Sequence, residues 1–121
     1  MGYESKIFIV ERHEHKLPSG ANWVFAEQIA VIDMCKMGYG NGFHELFSTP
    51  IDYKIFIDGD TETDTDCYGE HMKYAKPDDV IRWLKRAIKK DDYRRMPVLL
   101  GLLNGFKEGQ WVDLQVVHYG Y

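Results

Sequence analysis

The chain has 121 residues, 45% of them hydrophobic and 28% charged, with a net charge of −4. These values describe one folded domain, and they exclude a disordered tail, a fibrous repeat and a two-lobed enzyme with an interdomain cleft. The acidic balance argues against a strongly basic nucleic-acid binder, and no apolar run is long enough to cross a bilayer as a helix.

Tyr3–Val10 predicts a strand, because Ile7, Phe8, Ile9 and Val10 are β-branched or aromatic and suit a central position. The opening MGYESKIFIVER passes straight into this strand, unlike a signal peptide, so the expected location is the cytoplasm. The polar stretch ERHEHKLPSG ends in a Pro-Ser-Gly turn signal. Asn22 is a good cap for a helix running to Met37 and stopped by Gly38. Trp23, Val24, Phe25, Ile29, Val31, Ile32, Met34, Cys35 and Met37 surround nearly all of that helix, which predicts burial on more than one side.

GYGNGFHELFSTP predicts a loop with one helical turn at Phe43–Phe47. Ile51–Ile57 predicts a strand, the acidic DGDTETDTD a connecting loop, and Cys67–Tyr74 a return strand. Pro77 opens the clearest helix. Its Val80, Ile81, Trp83, Leu84, Ala87 and Ile88 fall on one arc, and Arg82, Lys85, Arg86 and Lys89 lie opposite. Asp78 and Asp79 suit the positive end of its dipole. Pro97 predicts the start of a short buried helix closed by Gly105, and Trp111–Tyr119 a final strand. The resulting order, β-α-β-β-α-(α)-β, is that of a ferredoxin-like split βαβ fold. It predicts an α+β single domain over residues 1–121, with a four-stranded antiparallel sheet and helices on one face.

Charge is segregated along the chain. Asp52 to Glu70 holds seven acids and one base, and Arg82 to Arg95 holds seven bases and two acids. Such separation steers partners more than it shapes a fold. Asp58, Asp60, Glu62, Asp64 and Asp66 recur at every second position, with Glu70 following. In an extended chain they form a row of carboxylates at roughly 6.6 Å spacing, close to that of successive phosphates along a nucleic-acid strand. These six residues are the candidate partner-binding surface. The plainer alternative is a solvated loop kept soluble by its charge. An EF-hand register fails, because the required glycine and glutamate positions fall on Thr63 and Gly69.

His13, His15, Cys67 and His71 are the candidate metal ligands. Both pairs sit at spacings that place their side chains on one side, and together they make a Cys-His₃ set suited to a structural zinc. Asp66 and Glu70 are substitute ligands. The alternative is surface histidines beside an inert thiol. For catalysis, Cys35 or Cys67 would act with His44, His71 or His118, yet no nucleophile elbow, Walker or dinucleotide motif is present. Two cysteines far apart read as free thiols in a reducing compartment. The expectation is therefore a protein that is not an enzyme, with a Cys- or metal-dependent hydrolase as an alternative. A further alternative is a metal-binding nucleic-acid module that contacts phosphates through Arg82–Arg95. The same basic face complements the acidic loop of a second copy, which favours a homodimer. Tyr119 and Tyr121 close the chain with the side-chain type enriched at binding surfaces.

The stretches MGYESKIFIVER, YRRMPVLLGLL and DLQVVHYGY resemble small proteins of phages and prophages of Gram-positive bacteria. Some proteins of that size and acidity are anti-CRISPR inhibitors of Cas9. The resemblance implies a stoichiometric inhibitor of a host defence nuclease, acting in the cytoplasm of the bacterial host. No catalytic residue carries over from it. Cas9-type effectors hold nucleic acid in positively charged channels, which suits the acidic loop.

Overall fold

The computed structural model describes residues 4–34, 42–90 and 93–120. The fold is α+β, and the described residues form two α-helices, a five-stranded antiparallel sheet and a separate two-stranded sheet. In chain order the strands are β1 (Ser5–Lys16), β2 (Asn22–Asp33), β3 (Thr49–Pro50), β4 (Ile55–Phe56), β5 (Glu62–Thr63), β6 (Lys73–Ala75) and β7 (Leu114–Gly120). The helices are α1 (Pro77–Ala87) and α2 (Arg95–Glu108), and a 3₁₀ turn covers Phe43–Leu46. The main sheet runs β2-β1-β7-β6-β3, and β4 pairs with β5.

The first predicted helix is instead the strand β2, so the four-stranded ferredoxin-like order is replaced. The reason lies in one extra residue. Ile9 of β1 faces Ala30, but the next residue, Val10, faces Gln28, leaving Ile29 unpaired as a bulge. Cross-strand partners share a face. Below the bulge Trp23, Phe25 and Glu27 therefore share a face with Ala30 and Ile32 above it. The bulge switches the parity of the alternation, so the apolar positions fit neither a clean period of two nor one face of a helix. The aromatic and β-branched residues that suggested an all-round apolar helix serve a two-sided strand. The end of the predicted helix, with Cys35, and most of the glycine-rich loop lie outside the described residues.

Other boundaries shift for local reasons. The polar ERHEH segment continues β1 as far as Lys16, because β2 pairs with it along a long ribbon. The predicted strands at 51–57 and 67–74 shrink to β4 and β6. α2 runs past Gly105 to Glu108. The amphipathic helix α1 forms where expected, with Pro77 in its first turn and Asp78 and Asp79 beside it.

Each face of the sheet carries its own core. Ile7 and Ile9 of β1 point to the helix side, where they join Val80, Leu84, Met96, Leu99, Leu103 and Val116. Phe8 and Val10 point the other way, against Ile51, Tyr53, Ile55, Met72, Val117 and Tyr119. Residues 51–72 thus form a lobe over the face opposite the helices. The acidic segment belongs to that lobe and the basic face of α1 to the other side, so the sheet separates the two charges.

The bulge makes a sharp test. Deleting Ile29 removes the extra residue and leaves Ile9–Ala30 and Val10–Gln28 as consecutive pairs, so Trp23 and Phe25 stay on the face of Ala30 and Ile32. The deletion should therefore be tolerated, with a denaturation midpoint in urea close to that of Ile29→Ala, whereas inserting one residue between Phe8 and Ile9 of β1 should lower it sharply. Leu84→Ala, which empties a fully buried site, should cost about 2–5 kcal/mol in urea unfolding.

Candidate functional site

The acidic lobe is an anchored structure. Arg12 holds its base through a bidentate pair with Asp52, donating from Nε at 2.9 Å and from Nη2 at 2.6 Å. Gln28 of β2 exchanges two hydrogen bonds with the backbone of Phe56, at 2.9 and 2.8 Å. The Tyr53 hydroxyl donates to Gln115 Oε1 at 2.6 Å, and His71 Nε2 lies 2.8 Å from the Ile51 carbonyl oxygen. Burial pushes the Tyr53 phenol up, so it stays a donor at neutral pH.

The carboxylates do not form the continuous extended row that their spacing predicts. Asp58 closes a turn by accepting from the backbone N–H groups of Asp60 and Thr61, at 3.2 and 2.8 Å. These bonds hold its carboxyl below the ordinary range. Glu62 lies in β5, and Asp64 accepts the Met72 N–H through its backbone oxygen at 2.8 Å. Asp66 builds a second turn, accepting from Tyr68 and Glu70 N–H at 2.8 and 3.0 Å. Gly59 and Gly69 take positive φ in these two turns, at 91° and 81°. Local side-chain bonds to the backbone compete with the extended form and win. What remains is a compact acidic surface on which Asp60, Glu62 and Glu70 are exposed. Among the described residues no lysine, arginine or histidine pairs with any of the six predicted carboxylates.

The four predicted metal ligands are not brought together. Cys67 lies against Tyr119, and Tyr119 is the register partner of Lys6. His13 stands seven residues further along β1, on the order of 20 Å away. His71 is turned to the backbone of Ile51. His13 instead meets two glutamates, with Nε2 at 3.0 Å from Glu11 and 3.3 Å from Glu27. His15 stacks beside Phe25, with 5.7 Å between ring centroids. Neither glutamate was among the expected ligands: the Glu-Arg-His spacing could have pointed to Glu11, whereas Glu27 could be found only once β2 was known to be a strand.

The cysteine nucleophile finds no support in the chemistry of Cys67. Partial desolvation and the negative charge of Glu4 push its thiol up, away from the reactive thiolate. Desolvation pushes the neighbouring Tyr119 phenol up to about 12. His118 is buried, with Nε2 at 3.0 Å from Ser5 Oγ and its ring stacked on Phe47 at 4.9 Å. Cys35 lies outside the described residues.

The basic segment is partly engaged within the chain. Arg82 of α1 pairs with Asp79 at 3.4 Å, and Arg95 at the start of α2 with Asp33 at 3.6 Å. Asp91 and Asp92 lie outside the described residues. A groove of about 720 Å³ lies between the foot of the β1–β2 ribbon and the helices, bordered by Arg12, Glu14, Asp78, Lys107 and Trp111. Its charges neutralise one another, Arg12 pairing with Glu14 at 3.2 Å and Lys107 with Asp78 at 3.1 Å. Among the described residues no helix is long and apolar enough to cross a membrane. Comparison with family models, curated proteins and solved structures returned no match.

The clamp at the base of the lobe has a pH signature. Arg12 holds the Asp52 carboxyl below its ordinary value of 3.8 in the folded state. The pair therefore stabilises the fold above that ordinary value, and the contribution is lost as pH falls through the lower, folded one. Asp52→Asn should cost about 0.5–1 kcal/mol at pH 7, the size expected for a half-exposed pair. In urea melts at successive pH values, the gap from wild type should narrow progressively as pH falls below 3.8.

Proposed function

We propose that the chain is a non-enzymatic binding protein that docks its acidic lobe onto a basic surface of a partner. The observation that carries this reading is the anchoring of unneutralised carboxylates. Asp60, Glu62 and Glu70 are exposed on a lobe tied to the sheet by Arg12, Gln28 and Tyr53. A preformed surface spares the ordering cost that a floppy acidic loop would incur on binding. The basic helix face lies across the sheet, so it cannot fold back onto the lobe within one chain.

In its specific form, the reading makes the partner a bacterial defence nuclease of the Cas9 type, inhibited by occupation of its nucleic-acid channel. This form rests on the resemblance to small phage proteins. The mode of attachment is a clustered acidic patch, since the carboxylates are not strung at phosphate spacing. Such docking is steered by charge and weakens as salt rises.

The test combines Asp60→Asn, Glu62→Gln and Glu70→Gln. None of these side chains anchors the lobe, so the variant should melt within a few degrees of wild type. It should lose most of the inhibition of guided DNA cleavage by a Cas9-type effector, and the wild type should inhibit less as salt rises. Undiminished inhibition by the variant would remove the acidic-lobe mechanism. Failure of the wild type to inhibit would remove the nuclease partner. Direct, salt-sensitive binding of the wild type to DNA or RNA would favour the basic face of α1 instead.

A further inference from the structure

Two glutamates oppose each other across the β1–β2 ladder. Glu11 is the register partner of Glu27. Partners in an antiparallel pair carry their Cβ atoms about 5 Å apart on one face, and like charges there are destabilising. No lysine or arginine among the described residues relieves the repulsion, because Arg12 points to the opposite face and is held by Asp52 and Glu14.

The group placed between the two carboxylates is the imidazole of His13, two positions along β1 on the same face. Its Nε2 lies 3.0 Å from a Glu11 oxygen and 3.3 Å from a Glu27 oxygen. The three donor atoms all lie within 4.8 Å of one another, and no other group of three such side chains among the described residues converges this way. The ring is held in plane. Phe25, the register partner of His13, stacks on it at 4.9 Å with 22° between the planes.

This arrangement presents one locus to either a proton or a metal. Protonated Nε2 carries a hydrogen that the two oxygens accept, and neutral Nε2 carries a lone pair aimed where those oxygens converge. One imidazole nitrogen and two carboxylate oxygens suit zinc and similar divalent transition metals better than the all-oxygen preference of calcium or magnesium. The side chain of Glu11 is 21% exposed and that of Glu27 61%, so the outer side is open to water.

We propose that Glu11, His13 and Glu27 form a divalent metal-ion site of the zinc or cobalt type on the β1–β2 ribbon, with water completing the shell. The site differs from the Cys-His₃ set expected from spacing, and it does not rest on the docking role of the acidic lobe. It uses two strands that are neighbours in the ladder, so the metal would tie the free end of the ribbon together.

The experiment titrates the tag-free chain with Co²⁺ alone and Zn²⁺ alone, by calorimetry and by the visible absorption of cobalt. One equivalent should bind with release of protons, more weakly as pH falls, and without a sulfur-to-cobalt charge-transfer band. Glu27→Gln should weaken binding by about tenfold or more. That side chain is exposed and its loss relieves the like-charge contact, so the metal-free variant should melt no lower than wild type. Cys67→Ser and His71→Asn should bind as wild type does. Absence of saturable binding at about 1 mM metal, wild-type affinity in Glu27→Gln, or loss of binding in Cys67→Ser would each overturn the proposal.

Discussion

The structure depends on the two-sided burial of β1. Its Ile7, Phe8, Ile9 and Val10 are all buried, alternately toward the helices and toward the lobe. A strand paired on both edges and covered on both faces leaves its neighbours little freedom of register. β2 must then match β1 on both faces along its whole length, and it does so only with the bulge at Ile29. The helices and the lobe are two separate solutions to one requirement, that each face of this strand be covered.

That arrangement also sets the electrostatics. The lobe contributes Ile51, Tyr53, Ile55 and Met72 inward, leaving its acids on the outside. α1 contributes Val80, Ile81 and Leu84 inward, leaving its lysines and arginines outside on the opposite side of the molecule. Opposite charges in one small chain would ordinarily find each other. Here a layer of sheet with a hydrophobic core on either side stands between them, so both remain presented to other molecules.

Beyond the reach of β7, the β1–β2 ribbon continues as two strands only. From Glu11, the last β1 residue paired with β7, the helix-side face of the ribbon carries Glu11, His13, His15, Trp23, Phe25 and Glu27 in register. At the far end of this face Trp23 is 53% exposed. The sequence kept these residues in two unrelated places, a polar linker and a buried helix. Pairing the strands put them side by side, and the opposed glutamates and the stacked imidazole follow from that register alone.

The sequence by itself determined the elements whose signals are local. The β-branched and aromatic run of β1, the amphipathic arc and acidic start of α1, the turn at Phe43–Leu46 and the final strand could all be read from a few neighbouring residues. It also determined that the chain is α+β and that its charges fall into two blocks. Only the tertiary structure decided the rest. A bulge is defined by the partner strand, so the parity switch at Ile29 has no signature within β2. The turns at Asp58 and Asp66 form because side-chain oxygens capture nearby backbone N–H groups, which spacing alone does not report. The meeting of Glu27 with His13 requires two strands to choose one register, and that choice was made by the core on both faces of β1.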